Sequence, residues 1–283
     1  MKVLKPAVGQ YQQLEVIKFL DFGLYLAAGQ EEILLPVKQI PDDIKIGDSL
    51  EVFIYRDSED RLIATTHKPI ATANSFACLR VTDTSSFGVF LDWGLEKDLF
   101  MPFSEQSKKL VPGRSYLVWI YVDEKTDRVI CSARLEKFLS TDVKDQLQED
   151  QVVGLLIWEF TELGIKAVID EKYSGVIYHN EIFTQLHVGD RIHGYIKKIR
   201  EDGKVDLTLR KKGYAEVEDT KGALLKILLK NKGFLPLNDN STPQQIYDSV
   251  HMSKKTFKKT VGGLLKQGLI NLSTEGIYYQ APE

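Results

Sequence analysis

A mainly β chain with a C-terminal α/β unit is what these 283 residues predict. Three observations carry the prediction. One glycine-marked pattern passes three times, as F-G-L-Y-L around Gly23, F-G-V-F-L around Gly88 and L-G-I-K-A-V around Gly164. Each pass leads into apolar runs with the alternation of half-buried strands. Beyond residue 213 the apolar period changes from two to near 3.6.

Within each pass the elements follow in one order. The opening strands read L-E-V-I-K-F-L, A-C-L-R-V-T-D and G-L-L-I-W-E-F, and the marked glycine then leads to I-L-L-P, L-F-M-P or V-I-Y-H. A second glycine with a polar neighbour comes next, as Gly47-Asp48, Gly113-Arg114 and Gly189-Asp190, at spacings of 24, 25 and 25 residues from the first. Long strands follow, S-L-E-V-F-I-Y, S-Y-L-V-W-I-Y-V and R-I-H-G-Y-I-K-K-I, then the hairpin turns D-S-E-D, D-E-K-T-D and R-E-D-G. Last come R-L-I-A-T, R-V-I-C-S and K-V-D-L-T. Five strands in about 60 residues is the size of a small Greek-key barrel, the OB-fold. The expected units are barrels at 1–68, 72–134 and 150–212. Leu135, Phe138 and Leu139 at helical spacing predict a linker helix over 135–149.

The fourth unit, 213–283, begins with G-A-L-L-K-I-L-L-K-N-K-G, a helix with Leu224, Leu225, Leu228 and Leu229 on its apolar face and Gly233 as its stop. Thr242 and Pro243 then supply a cap and a first helical residue. In the third helix Phe257, Val261, Leu264 and Leu265 face inward, leaving Lys254, Lys255, Lys258 and Lys259 outward. Two short strands, L-I-N-L and G-I-Y-Y, close the chain around Ser273–Gly276. This is the element order of a winged helix-turn-helix. Its third helix normally enters a duplex groove. The four lysines also fit the plain wet side of an amphipathic helix.

Composition narrows the function. With 37 basic and 40 acidic residues, 43% hydrophobic and 27% charged, the chain has ordinary globular values. No window approaches ~18 uninterrupted apolar residues, and the N-terminal M-K-V-L-K-P lacks an export core, so the expected address is cytoplasmic. Cys78 and Cys131, with histidines only at 67, 179, 187, 193 and 251, form no zinc-type pair, and no metal or cofactor is expected. The cysteines read as small core hydrophobes, and Trp119 and Trp158 as buried strand residues. No nucleotide-binding, serine-elbow or zinc-protease motif occurs, and the acidic clusters Asp57-Glu59-Asp60 and Asp123-Glu124-Asp127 fall in predicted turns. The expected protein is not an enzyme. Residues 189–283 hold 17 Lys+Arg against 11 Asp+Glu and residues 1–188 hold 20 against 29, so polyanion contact is expected toward the C-terminus.

The F-G runs, G-V-I-Y-H-N-E-I, the Gly-Asp marks and the Arg opening the last strand resemble the ribosomal protein S-one type of RNA-binding OB-fold. That resemblance implies base stacking by Phe22 and Tyr25 with Arg61 on the backbone in repeat one, and by Phe87 and Phe90 with Arg128 in repeat two. Repeat three has Leu163 and Lys166 where the aromatics belong. It keeps Tyr178 and His179 at the family's histidine site and has Lys204 in place of Arg. Leu35 and Met101 are expected at that histidine site in the first two repeats. Aromatics three apart on a strand require an irregularity, and the glycine between them is expected to bulge. The competing reading makes these rings core, the commoner fate of Phe.

Three such barrels followed by a winged helix resemble the conserved virulence factor B family of bacterial regulators over essentially the whole chain. The resemblance implies an RNA-binding protein that affects gene expression without a catalytic reaction. Two functions stay open: a regulator gripping single-stranded RNA with its barrels, the winged helix adding affinity, or a transcription-type or scaffold factor whose winged helix binds duplex DNA or a protein. Neither involves a membrane.

Overall fold

Alternating side chains become strands in the computed structural model, which describes residues 5–182, 184–210 and 214–280. Strands β1 Tyr11–Leu20, β2 Gly23–Ala28, β3 Glu31–Pro36, β4 Ser49–Arg56 and β5 Leu62–Thr65 close into a barrel in the order β1-β2-β3-β5-β4, with β3 and β5 parallel. Barrel two comprises β6 Ser75–Thr84, β7 Gly88–Asp92, β8 Leu99–Pro102, β9 Ser115–Asp123 and β10 Arg128–Ser132. Barrel three comprises β11 Val152–Phe160, β12 Gly164–Ile169, β13 Tyr173–Tyr178, β14 Arg191–Ile199 and β15 Val205–Thr208. The chain forms two compact units, Met1–Leu207 and Thr208–Glu283.

The repeated glycines have two different causes. A Cβ on Gly23 would stand 2.3 Å from the Leu35 carbonyl oxygen, on Gly88 2.2 Å from that of Met101, and on Gly164 2.1 Å from that of Ile177. The first glycine of each pass therefore permits a close backbone approach and is not the bulge. The bulges lie earlier, between Val16 and Lys18, Val81 and Asp83, and Ile157 and Glu159. There the first strand also bonds the second glycine's segment: the Gly47 N–H donates to the Val16 carbonyl at 2.8 Å and the Val16 N–H to the Asp48 carbonyl at 2.9 Å, with equivalents at Gly113 and Gly189. These second glycines have φ of 90°, 82° and 93°, which disfavour any side chain. Gly88→Ala is expected to destabilise by about 1–3 kcal/mol, since its Cβ meets backbone that cannot yield without opening β7 from β8; urea unfolding measures the loss.

Barrels within the first unit share side chains. In β4, Val52 and Ile54 enter the core of barrel one while Phe53 and Tyr55 pack into the core of barrel two, where Phe53 meets Trp93 edge-on at 5.6 Å. Between barrels two and three, Phe76, Leu117, Leu156 and Trp158 form a second shared cluster with Leu135 and Leu139. Trp158 is buried as expected, whereas Trp119 is only half-buried, stacked on Phe138 at 5.5 Å. Cys131 belongs to the core of barrel two, but Cys78 lies between barrels, its thiol 3.4 Å from the Val188 carbonyl.

The expected linker helix over 135–149 is absent. A 3₁₀ turn, Leu135–Lys137, is followed by turns, although Leu135, Leu139, Val143 and Leu147 are buried. Helical continuation fails because Ser140 is drawn elsewhere: its N–H donates to the Lys172 carbonyl at 2.8 Å and its hydroxyl accepts from the Asp142 N–H at 3.3 Å.

The second unit contains α1 Tyr214–Lys230, β16 Phe234–Leu235, α2 Pro243–Val250, α3 Lys254–Lys266, β17 Ile270–Leu272 and β18 Ile277–Tyr279. Its expected start at residue 213 lies outside the described residues. Thr242 caps α2 reciprocally, its hydroxyl accepting from the Gln245 N–H while the Gln245 side chain accepts from the Thr242 N–H. The sheet has three strands, β16-β18-β17, not the expected two, because Phe234–Leu235 pairs with β18. Leu224, Leu228, Phe257, Val261 and Leu264 build the core, whereas Leu229 and Leu265 are exposed. Each lies one residue, about 100° of turn, past the buried stripe. Among the described residues no helix is long and apolar enough to cross a membrane.

Candidate nucleic-acid interface

Barrel two presents the most open aromatic face. Phe87 occupies the turn before β7, outside the strand, and is 77% exposed. In β7, Val89 and Leu91 point inward, so Phe90 points outward, pairing in register with Phe100 of β8 at 5.3 Å between rings. Phe100 was legible by the same alternation, since Leu99 and Met101 on either side are buried. Together Phe87, Phe90 and Phe100 line a cleft of about 400 Å³ with Arg56, Lys97 and Arg128.

These cations are already engaged. Arg128 donates to Asp60 at 2.7 Å, and Arg56 to Asp127 at 2.6 Å, so the two acidic turns exchange arginines across barrels one and two. The Arg128 hydrogen bond holds the Asp60 carboxyl below its usual range. Lys97 donates to the carbonyls of Arg56 and Asp57 at 3.1 and 2.6 Å, and burial pulls its ammonium pKa down. A phosphate contacting Arg128 competes with Asp60 for its guanidinium. Sequence reasoning missed Arg56 and Lys97, whose cross-barrel partners lie 71 residues away at Asp127 and 41 and 40 residues away at Arg56 and Asp57.

Barrel one brings its three residues together with the opposite charge. Phe22 is 55% exposed and Tyr25 half-buried, their rings edge-on at 6.4 Å with Lys18 over Tyr25 at 4.5 Å. Arg61 is held by Asp57 at 2.8 Å and Glu59 at 3.0 Å. Glu31, Glu32 and Asp57 line this cleft against Arg56 and Arg61. Its carboxylates outnumber its cations, which repels a polyanion.

In barrel three Leu163 is 68% exposed, while Lys166 lies over the Trp158 ring at 4.7 Å and pairs with Glu136 at 3.2 Å. Tyr178 stands opposite Gly164 with the Arg200 guanidinium 5.7 Å from its ring. The exposed His179 ring approaches the Glu162 carbonyl at 3.0 Å, and Lys204 is paired with Asp202 at 2.8 Å. Register corrects the histidine site. Gly23 faces Pro36 and Gly88 faces Pro102 as Gly164 faces Tyr178, so the counterparts of His179 are Val37 and Phe103. Leu35 and Met101 lie two residues earlier and fully buried. Phe103, half-exposed with its N–H on the Phe87 carbonyl at 3.1 Å, is a further aromatic that sequence reasoning missed.

On α3, Lys255, Lys258 and Lys259 are exposed, with Lys258 3.4 Å from Asp239. Lys254 departs from the expected outward face: half-buried beside the Ser253 cap, it folds back to donate to the Ser241 carbonyl at 2.8 Å.

Comparison with known proteins agrees with this architecture. Residues 8–67 and 75–132 each match the S1 domain family, and residues 222–278 match the CvfB-like winged helix domain. Uncharacterized protein YitL of Bacillus subtilis (strain 168) is 28% identical over 93% of this chain and 90% of its own length. Conserved virulence factor B of Staphylococcus epidermidis (strain ATCC 35984) is 25% identical over 97% and 95%. A solved structure from Streptococcus pneumoniae TIGR4, described as a multidomain protein with nucleic acid binding domains, is 24% identical over 96% of this chain and 98% of its own, with a TM-score of 0.43.

Proposed function

Because the chain belongs to the conserved virulence factor B family, with nucleic-acid-binding S1 domains and a CvfB-like winged helix, we propose that it is a non-catalytic, cytoplasmic RNA-binding regulator of gene expression. Its units on this reading are 1–68, 72–134, 150–212 and 213–283, joined by the 135–149 linker. Single-stranded RNA is held chiefly on barrel two, where bases stack on Phe87 and Phe90 and Arg128 exchanges Asp60 for phosphate. One observation carries this reading: a largely exposed phenylalanine beside an outward aromatic pair, in a cleft that also contains three cations. Flat rings accept any base and cations any phosphate, the chemistry of sequence-tolerant single-strand binding. In barrel one, Phe22, Tyr25 and Arg61 contribute less because carboxylates surround them. Lys166, Tyr178, His179 and Lys204 form a weaker platform in barrel three.

The exposed Lys255, Lys258 and Lys259 favour a second contact, phosphates met by the winged helix. Titration of an unstructured RNA and a duplex DNA at the same 0.15 M salt separates the two readings. The expected result is clearly tighter binding of the RNA. Preference for the duplex would transfer the function to the winged helix and overturn the reading based on the barrels.

A further inference from the structure

The cations expected at the S1 positions are occupied: Arg61 by Asp57 and Glu59, Arg128 by Asp60, Lys166 by Glu136 and Lys204 by Asp202. A different groove, of about 380 Å³ between barrels two and three, is not so neutralised. Lys108, Lys109 and Arg114 line it, with Glu159 as the one carboxylate. Glu159 is consumed by its ion pair with Lys108. Lys109 and Arg114 are exposed, and among the described residues neither side chain has a hydrogen bond or ion pair. Beside them Phe160 is 50% exposed, and the floor includes Tyr116 and the buried Trp158, the residue at the β11 bulge.

The walls of the groove are packed together across the two barrels. Leu117 and Trp158 belong to the cluster shared by the two barrels, and Cys78 packs against the Val188–Gly189 backbone, where a Cβ on Gly189 would stand 2.6 Å from that of Cys78. Two unpaired cations and an open ring on a packed wall suit a polyanion bearing flat groups. They suit an acidic peptide less well, because Phe160 offers a stacking surface for bases.

We propose that this groove is a second track for single-stranded RNA, taking sugar-phosphate on Lys109 and Arg114 and a base on Phe160 as the strand leaves the aromatic face of barrel two. The inference rests on the RNA-binding reading above and adds the strand's path across a barrel junction.

Oligouridylates of about 4 and 20 nucleotides test it, because a single barrel covers as few as about four. The variant is Lys109→Glu with Arg114→Glu, at two exposed positions whose side chains make no hydrogen bond or ion pair among the described residues. A control, Lys38→Glu with Lys45→Glu, makes the same charge change on exposed residues of barrel one. The groove variant is expected to weaken the 20-mer about tenfold or more, to lower its salt slope by about 1.4, and to leave the 4-mer unchanged, while the control moves neither. An unchanged 20-mer, an equal loss for the 4-mer, or an equal loss in the control overturns the proposal. A Phe87→Ala, Phe90→Ala protein assayed alongside keeps the two readings distinct: if it binds both lengths as the parent does, the barrel-two reading fails, whatever the groove variant does.

Discussion

Replacing Phe87 and Phe90 together by alanine is expected to weaken binding of unstructured RNA by at least about 30-fold. Each stacked base is worth about 1–3 kcal/mol on alanine substitution, and two at the lower limit give 2 kcal/mol. The rings are neighbours, so the sum is not strictly additive. The structure distinguishes the two positions. Phe87 is in a turn and largely in solvent, so Phe87→Ala alone should change stability by less than about 0.5 kcal/mol. Phe90 leans on Phe100, and its loss also uncovers that ring. A fluorescence-anisotropy titration at fixed salt, with a melting curve for each variant, checks both. Full RNA affinity in a folded double variant would remove barrel two from the interface.

The physical cause of each feature determined whether it was legible in sequence. The three barrels were legible because every pass must bring backbone against backbone at Gly23, Gly88 and Gly164, and only glycine meets that demand. The bulge was misplaced because a glycine between two aromatics suggests local irregularity, whereas the irregularity belongs to the first strand where it bonds the second glycine's segment. The candidate cations were legible as residue types but not as available charges. Asp60 and Arg128 are 68 residues apart, and nothing local announces their pairing. Phe103 escaped because the motif was aligned on apolar residues, which slid the histidine site by two positions into the core. The groove of Lys109 and Arg114 escaped because it exists only once two barrels dock.

That docking leaves a trace in the sequence, a strand without a wet face. A half-buried barrel strand alternates, but V-F-I-Y in β4 is buried at all four positions, Val52 and Ile54 in barrel one and Phe53 and Tyr55 against barrel two. Phe53→Ala is therefore expected to cost about 3–5 kcal/mol, the usual loss for truncating a fully buried phenylalanine. The ring touches Tyr11, Tyr55 and Trp93, so its removal opens a cavity bounded by both barrels, which neither can close alone. Were the barrels independent, Phe53 would lie on the outside of barrel one, and its truncation would cost no more than about 0.5 kcal/mol. Urea unfolding followed by Trp93 fluorescence in a Trp119→Phe, Trp158→Phe background, with and without Phe53→Ala, separates the cases, because the remaining reporter lies in barrel two and the substitution in a strand of barrel one. A shift in that transition establishes that a residue of barrel one supports the core of barrel two. The Arg128–Asp60 and Arg56–Asp127 pairs lie along the same junction, so loosening it frees the cations of barrel two for phosphate. The destabilised protein should then bind RNA no more weakly than the parent at temperatures where it remains folded, and a parallel fall in affinity and stability would refute that coupling.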